Sequence, residues 1–344
     1  MTINQTPIKI PSWAYATTHS NGTGSIKTIP ADFIVEEQLS FQPEGAGEHA
    51  FIQIKKTGEN TEYIARLLAR FAGVRQRDVS YAGLKDRHAI TTQWFSVWLP
   101  GKADPEWRQI ETEVIKILQT TRHARKLKRG VLSGNKFQIV IRDWQGDRDV
   151  LENQLQVIQQ QGIPNYFGSQ RFGLQGQNVN KALALFQGEK VKREQRSIYL
   201  SSVRSYIFNQ LLSERVKLGN WNQGIQGDVF IFDQSHSYFK SDLLDSSILD
   251  RIKKGEIHPT GLMAGKGGLE TTAEALVMEE SIVNTHQVLV DGLIKFDLKA
   301  DRRAFRVLVD NLQWEFQEDS KVVLNFFLPS GSFATALLRE LINS

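Results

Sequence analysis

Four ionisable side chains stand in a row at Lys85, Asp86, Arg87 and His88, inside the stretch YAGLKDRHAITTQ that runs from Tyr81 to Gln93. A single carboxylate among cations is suited to work as a nucleophile or a base on a polyanionic substrate. A metal site fits poorly. Asp86 and His88 share one side of an extended chain, but Lys85 and Arg87 would repel a cation. The seven His residues are scattered without an H-x-x-x-H pair, and there is no Cys, so no metal is expected. A nucleotide cofactor is not expected either. The stretch GLMAGKGG (Gly261 to Gly268) is one residue short of a phosphate loop, and Gly267 stands where the hydroxyl should be. No G-x-G-x-x-G or G-x-S-x-G motif occurs, which speaks against a dinucleotide site and a serine-hydrolase elbow.

The net charge is only +4 over 344 residues, yet the positive charge is bunched. RHARKLKR (Arg122 to Arg129) is the densest run, followed by KVKREQR (Lys190 to Arg196) and KADRRAFR (Lys299 to Arg306). Three such runs suggest a face for a polyanion, although any one of them can also be an ordinary solvated surface. Aromatics stand beside cations in NYFGSQRFG (Asn165 to Gly173), and SGNKF (Ser133 to Phe137) adjoins the densest run. Rings that stack on unpaired bases, with Lys and Arg on phosphates, are the pattern of RNA binding; the alternative is that the rings fill the core.

Elements able to position Asp86 are legible on both sides of it. Phe33 to Glu37 and HAFIQIKKTGEN alternate as strands, and Ile64, Leu67, Leu68 and Phe71 share a helical face that Asn60 or Thr61 can cap and Gly73 can stop. DVSYAG and TTQWFSVWLPG read as two strands, the second apolar on both faces and therefore central. Asp86 then lies in their connection, on a loop held by a rigid sheet. KFQIVIRDW reads as a strand, DVLENQLQVIQQQG as an amphipathic helix, and SSVRSYIFNQLLSERVK as a helix with a Ser cap. Trp221 to Lys266 reads as loop-rich. Strands return in FRVLVD, LQWEFQ and KVVLNFFLP before a helix beginning near Ser332. A β-rich start and end around a helical middle suggest one sheet built from both chain ends, with an insertion between them. Length alone suggests two domains. Hydrophobic content of 40% and charged content of 23% fit a soluble globular chain, without a membrane span or signal peptide, and the expected location is cytoplasmic.

The stretch GLKDRHAITTQ (Gly83 to Gln93) resembles the G-x-K-D-x-x-A-x-T-x-Q signature of TruD-type tRNA pseudouridine synthases. IPADFIVEE, RKLKRGVLSGNKF, PNYFGSQRFG, SSVRSYIFN and LPSGSFATALLREL resemble blocks of the same family in the same order, across nearly the whole chain. The resemblance implies an α+β, V-shaped, two-domain protein. Its mixed-sheet pseudouridine-synthase catalytic domain would take residues 1–160 and 310–344, and an inserted α/β TRUD domain residues 161–309. It implies isomerisation of tRNA uridine 13 to pseudouridine, Asp86 as catalytic carboxylate, and no cofactor. Lys27, from the N-terminal block, is the candidate cation for Asp86. Phe33, Asn135, Phe137 and Phe333 resemble the uridine pocket. Lys85, Arg122, Arg125, Lys126, Lys128 and Arg129 are candidates for the RNA backbone. The expected partner is tRNA, bound by a monomer. The alternative is a non-catalytic RNA-binding protein on the same scaffold.

Overall fold

The computed structural model describes residues 7–17, 22–128, 130–241 and 243–343. Strands β1 (Thr23–Ser25), β2 (Phe33–Leu39) and β3 (His49–Thr57) lead into helix α1 (Thr61–Phe71). Strands β4 (Val79–Tyr81), β5 (Ile90–Trp98), β6 (Ile115–His123) and β7 (Leu132–Gln145) follow. The middle opens with helix α2 (Arg148–Gln161), strand β8 (Ile163–Pro164), and helices α3 (Gln177–Phe186) and α4 (Arg193–Lys217). It continues through β9 (Val229–Phe232), β10 (Tyr238–Lys240), α5 (Ser246–Lys254) and β11 (Ile257–Met263). Helices α6 (Ala273–Thr285) and α7 (Gln287–Lys295) precede β12 (Asp301–Ala304) and β13 (Arg306–Val307). Strands β14 (Asp310–Gln317) and β15 (Lys321–Pro329) and helix α8 (Ala334–Leu341) close the chain. Helices and a mixed sheet together make an α+β protein.

The chain divides into two compact units. The sheet unit comprises Asn21–Leu151, Val309–Ser332 and Ile342–Ser344. Its strands run in the order β14-β15-β7-β2-β5-β3-β6, with β1 added on β7 and β4 on β5. The β2–β5 pair is parallel and its neighbours are antiparallel, so strands from both ends of the chain share one mixed sheet. Alternation sets what each face buries. Ile52 and Ile54 of β3 and Phe95 and Val97 of β5 pack under α1 through Ile64, Ala65 and Leu68. Phe51 and Trp94 point the other way, against Ala82 and Leu127. Strand β5 is buried from Thr91 to Val97, as its two apolar faces imply.

The helical unit comprises Met1–Ser20, Glu152–Leu308 and Phe333–Leu341. Its core surrounds α4, whose Val203, Ile207, Phe208, Leu211 and Leu212 are buried. A four-stranded sheet runs in the order β10-β9-β11-β12. These bounds differ from the expected ones at both ends of the chain. The segment around Trp13 and helix α8 cluster with the middle of the sequence. Trp13 stacks on Tyr166 at 6.2 Å, Arg339 donates to the Trp13 carbonyl at 2.7 Å, and the Ala16 N–H donates to Glu340 at 2.8 Å.

Two element readings change. Helix α4 starts at Arg193, well before Ser201, and has no Ser cap. Ser202 sits mid-helix, its hydroxyl donating to Ile198 O four residues back and to Arg171 O. The stretch 221–266, read as loop-rich, also carries regular elements. It holds β9, β10, α5 and β11, anchored by a buried bidentate pair of Arg215 and Asp228 at 2.8 and 2.9 Å. No helix of the described residues is long and apolar enough to cross a membrane.

Candidate active site

Asp86 lies in the loop between β4 and β5, with 42% of its side chain exposed. The loop is fixed from below by a chain of hydrogen bonds. Gln93 of β5 donates through Nε2 to Gly83 O at 2.6 Å. Thr61 donates to Gln93 Oε1 at 3.0 Å and accepts from the Lys85 N–H at 3.1 Å. Thr61 is therefore a support for the loop, and Asn60, not Thr61, holds the cap position of α1. At the far end Arg87 donates to Gly58 O at 3.2 Å, and the Gly58 N–H donates to Ala89 O at 3.2 Å.

Lys27 Nζ lies 2.6 Å from Asp86 Oδ2 and 4.1 Å from the centre of the Phe33 ring. One ammonium thus bridges a carboxylate and an aromatic face. Lys27 has φ of 58°, a left-handed backbone that a lysine adopts only where its surroundings hold it. The surroundings are visible. Asp32 accepts from the Ile29 N–H at 2.9 Å and from Arg142 at 2.8 Å, which closes the turn between Lys27 and β2.

Strand periodicity assembles the rest. Phe33, Val35 and Glu37 occupy alternate positions of β2, and across the ladder they face Ile139, Phe137 and Asn135 of β7. Phe137 is half-buried, stacked on Phe326 of β15 at 5.1 Å and edge-on to Phe33 at 6.2 Å. Lys85 reaches across from the loop. Its Nζ donates to Asn135 Oδ1 at 2.8 Å and lies 3.7 Å from Glu37 Oε1. Asp86, Lys27, Phe33, Asn135 and Phe137 are therefore neighbours within one unit, joined through Lys85 and Glu37.

The charges below the loop are buried. Glu37 accepts from the Trp94 N–H at 2.9 Å, and its side chain is fully enclosed. Burial pushes the Glu37 carboxyl up, opposed by Lys85; burial pulls Lys85 down, opposed by Glu37. Lys56, also buried, donates to Glu59 O at 2.7 Å. Burial and the neighbouring Lys85 charge lower it from 10.5 to about 8.

The other expected residues fall elsewhere. Lys85 does not stand free for a phosphate: only 10% of its side chain is exposed, and it is committed to Glu37 and Asn135. Arg122 pairs with Asp104 at 2.9 Å and donates to Lys102 O at 2.8 Å. Arg125, Lys126 and Lys128 are exposed along the segment that buried Leu127 pins to Ser96 Oγ at 3.0 Å. Arg129 lies outside the described residues. Phe333 belongs to the helical unit, 6.0 Å from Phe167, with Arg171 over its ring at 5.9 Å. Tyr166, Phe167 and Phe172 fill the core of that unit, so NYFGSQRFG is not a stacking platform for bases. The run 299–306 is not a polyanion face either. Arg302 is buried with Glu279 at 2.8 Å, Arg303 stacks on Phe167 at 4.1 Å, and buried Arg306 donates to His258 Nδ1 at 2.9 Å.

Glu37, Lys56 and Phe326 were not expected at the site; Gln93 stood only as the end of the signature, and Thr61 only as a helix cap. A signal existed for two of them. Glu37 follows Phe33 and Val35, and Lys56 follows Ile52 and Ile54, at period two. A charge at an inward strand position implies a buried partner.

A family model for tRNA pseudouridine synthase D (TruD) matches residues 10–189 and 175–341. The tRNA pseudouridine synthase D of Methylococcus capsulatus is 49% identical over 321 residues, covering 93% of this chain and 91% of its own length. That of Hydrogenovibrio crunogenus is 42% identical over 97% of both chains. A crystal structure of a candidate tRNA pseudouridine synthase D (TruD) from Methanosarcina mazei has the same fold. It matches with a TM-score of 0.73 at 22% identity, over 96% of this chain and 95% of that one.

Proposed function

The chain belongs to the tRNA pseudouridine synthase D (TruD) family, and we propose that it isomerises uridine 13 of tRNA with Asp86 as the catalytic carboxylate. The observation that carries this reading is the Asp86–Lys27 pair of 2.6 Å, set beside an aromatic face and open to solvent. Isomerisation breaks the bond from uracil N1 to C1′, turns the base, and joins C5 to C1′. The C5 proton leaves and N1 gains one, so atoms and electrons balance within the substrate, without a redox partner. Asp86, at C1′ or C2′, acts as the nucleophile or as the base that assists cleavage. Lys27 holds the carboxylate in place from the Phe33 side. Phe137 and Asn135 are the groups for the uracil ring and its polar edge. Taking a base out of its stack costs a few kcal/mol, which contact with an aromatic ring at about 1–3 kcal/mol offsets. Arg125, Lys126 and Lys128 draw in the phosphates.

The test is incubation with unmodified tRNA in a chelator-treated buffer. Carbodiimide labelling then marks pseudouridine as a reverse-transcription stop. A stop at position 13 is expected; a stop at another uridine, or none, would contradict the proposal.

A further inference from the structure

The run KVKREQR is not used by the site above, yet it opens onto a cleft in the helical unit. Arg193, Arg196 and Arg204 lie at i, i+3 and i+11 on α4, so three turns of one helix face carry three guanidiniums. Met263, Phe296 and Leu298 supply an apolar wall, and the cleft measures about 510 Å³. That lies within the range of about 300–1,000 Å³ for small-molecule sites, and it is roomier than a lone phosphate requires. Among the described residues no carboxylate lines the cleft. Among them, too, the side chains of Arg193 and Arg196 make no hydrogen bond or ion pair, and both are exposed. The hydrogen bonds of Arg204 go to carbonyls, and no carboxylate of the cleft lining accepts from it. It donates through Nη2 to Met263 O and Lys299 O, both at 3.1 Å, while its buried Nε has no acceptor. Phe296 is braced from behind by Phe186, with ring centres 5.8 Å apart.

Three cations gathered with no carboxylate in the cleft lining repel one another, and Asp301 acts on Arg204 from outside that lining, so the cleft still favours an anion. An aromatic and aliphatic wall beside them suits the base attached to a phosphate. We propose that this cleft binds a nucleotide of the tRNA other than the reacting uridine, with its phosphate on Arg193 and Arg196 and its base against Phe296. The proposal rests on tRNA being the substrate and adds a second anchoring point on it.

The experiment uses the full chain and tRNA carrying 4-thiouridine. Arg193→Ala with Arg196→Ala should leave the melting temperature unchanged, because both side chains are exposed. It should weaken tRNA binding by about tenfold or more. The slope of log K against log salt should fall by about 0.7–0.9, because one phosphate is left without its cations. Irradiation of the wild-type complex should give an adduct in the peptide containing Phe296. An unchanged slope would overturn the proposal and leave the cleft to an acidic protein partner; absence of the adduct would overturn it as well. Binding is read without reference to product. A protein that binds through this cleft yet forms no pseudouridine would sink the proposed reaction and keep the site.

Discussion

Replacing Lys85 by Met separates a buried support from a phosphate ligand. Methionine keeps most of the side chain's volume and removes the ammonium. Glu37, fully enclosed, then keeps only the Trp94 N–H as a partner among the described residues. At the observed 3.7 Å, the lost attraction is about 4.5 kcal/mol in an effective dielectric of about 20. Breaking a buried pair from one side typically costs about 3–5 kcal/mol, so a loss in that range is expected in urea unfolding at pH 7.5. The deficit depends on pH with a defined sign. Glu37 already titrates above its ordinary 4.5 because of burial, and losing Lys85 moves it further up. A carboxyl raised in the folded state contributes stability that is present below about 4.5 and lost as pH rises through its folded value. The deficit should therefore be smaller at pH 5 than at pH 7.5. Adding Glu37→Gln should recover part of it, since the uncompensated charge is gone. The salt slope of tRNA binding should stay as in wild type. A deficit under about 1 kcal/mol with a slope shallower by about 0.7–0.9 would refute the reasoning and make Lys85 a phosphate contact.

Lys126→Ala with Lys128→Ala should leave stability unchanged and lower the salt slope of tRNA binding by about 1.4–1.8; an unchanged slope would make that run an ordinary surface. Phe137→Ala should cost less than the roughly 3 kcal/mol of a fully buried phenylalanine, because Phe137 is half-buried. Its single-turnover rate should fall by about a hundredfold, a barrier change of about 2.7 kcal/mol, and a larger stability loss with a normal rate would place it in the core instead. Lys56 titrates at about 8 when folded against 10.5 ordinarily, so the unfolded chain binds its proton more tightly between those values. Stability should rise across that interval in wild type by urea unfolding, and the same rise in Lys56→Met would assign it to another group.

The sequence showed a sheet shared by both chain ends because the strand patterns of IVEE, IQIKK and KFQIVIRDW near one end and of LQWEFQ and KVVLNFFLP near the other become β2, β3, β7, β14 and β15. It placed Asp86 on a loop because Gly83 and the apolar run of β5 bracket it. What it could not show is which cations stay in solvent. Lys85 and Arg87 adjoin Asp86 in sequence but turn away from it, whereas Lys27 arrives from 59 residues upstream through a left-handed turn. The runs 122–129 and 299–306 look alike on paper. In the latter Arg302, Phe305 and Arg306 are buried, and its arginines meet Glu279, His258 and Phe167. The start of helix α4 was not legible because its first five residues, Arg193 to Ser197, are polar and carry no apolar period. Strand β9 was hidden because it has only four residues, between Asp228 and Asp233, and β11 because Pro259 and Gly261 interrupt its run.

The most direct test of the account is Asp86→Asn, assayed in a single turnover with enzyme in excess over tRNA, so that product release does not enter. Asparagine keeps the shape of the loop and loses both the ionised carboxylate and its pairing with Lys27. The variant should unfold at the wild-type urea midpoint, since Asp86 is 42% exposed and the loop is held by Thr61, Gln93 and Gly58. It should bind tRNA at least as tightly, with one negative charge removed, and form no detectable pseudouridine. Turnover within about tenfold of wild type, a barrier change near 1.4 kcal/mol, would contradict the assignment and leave Asp86 a residue of the turn.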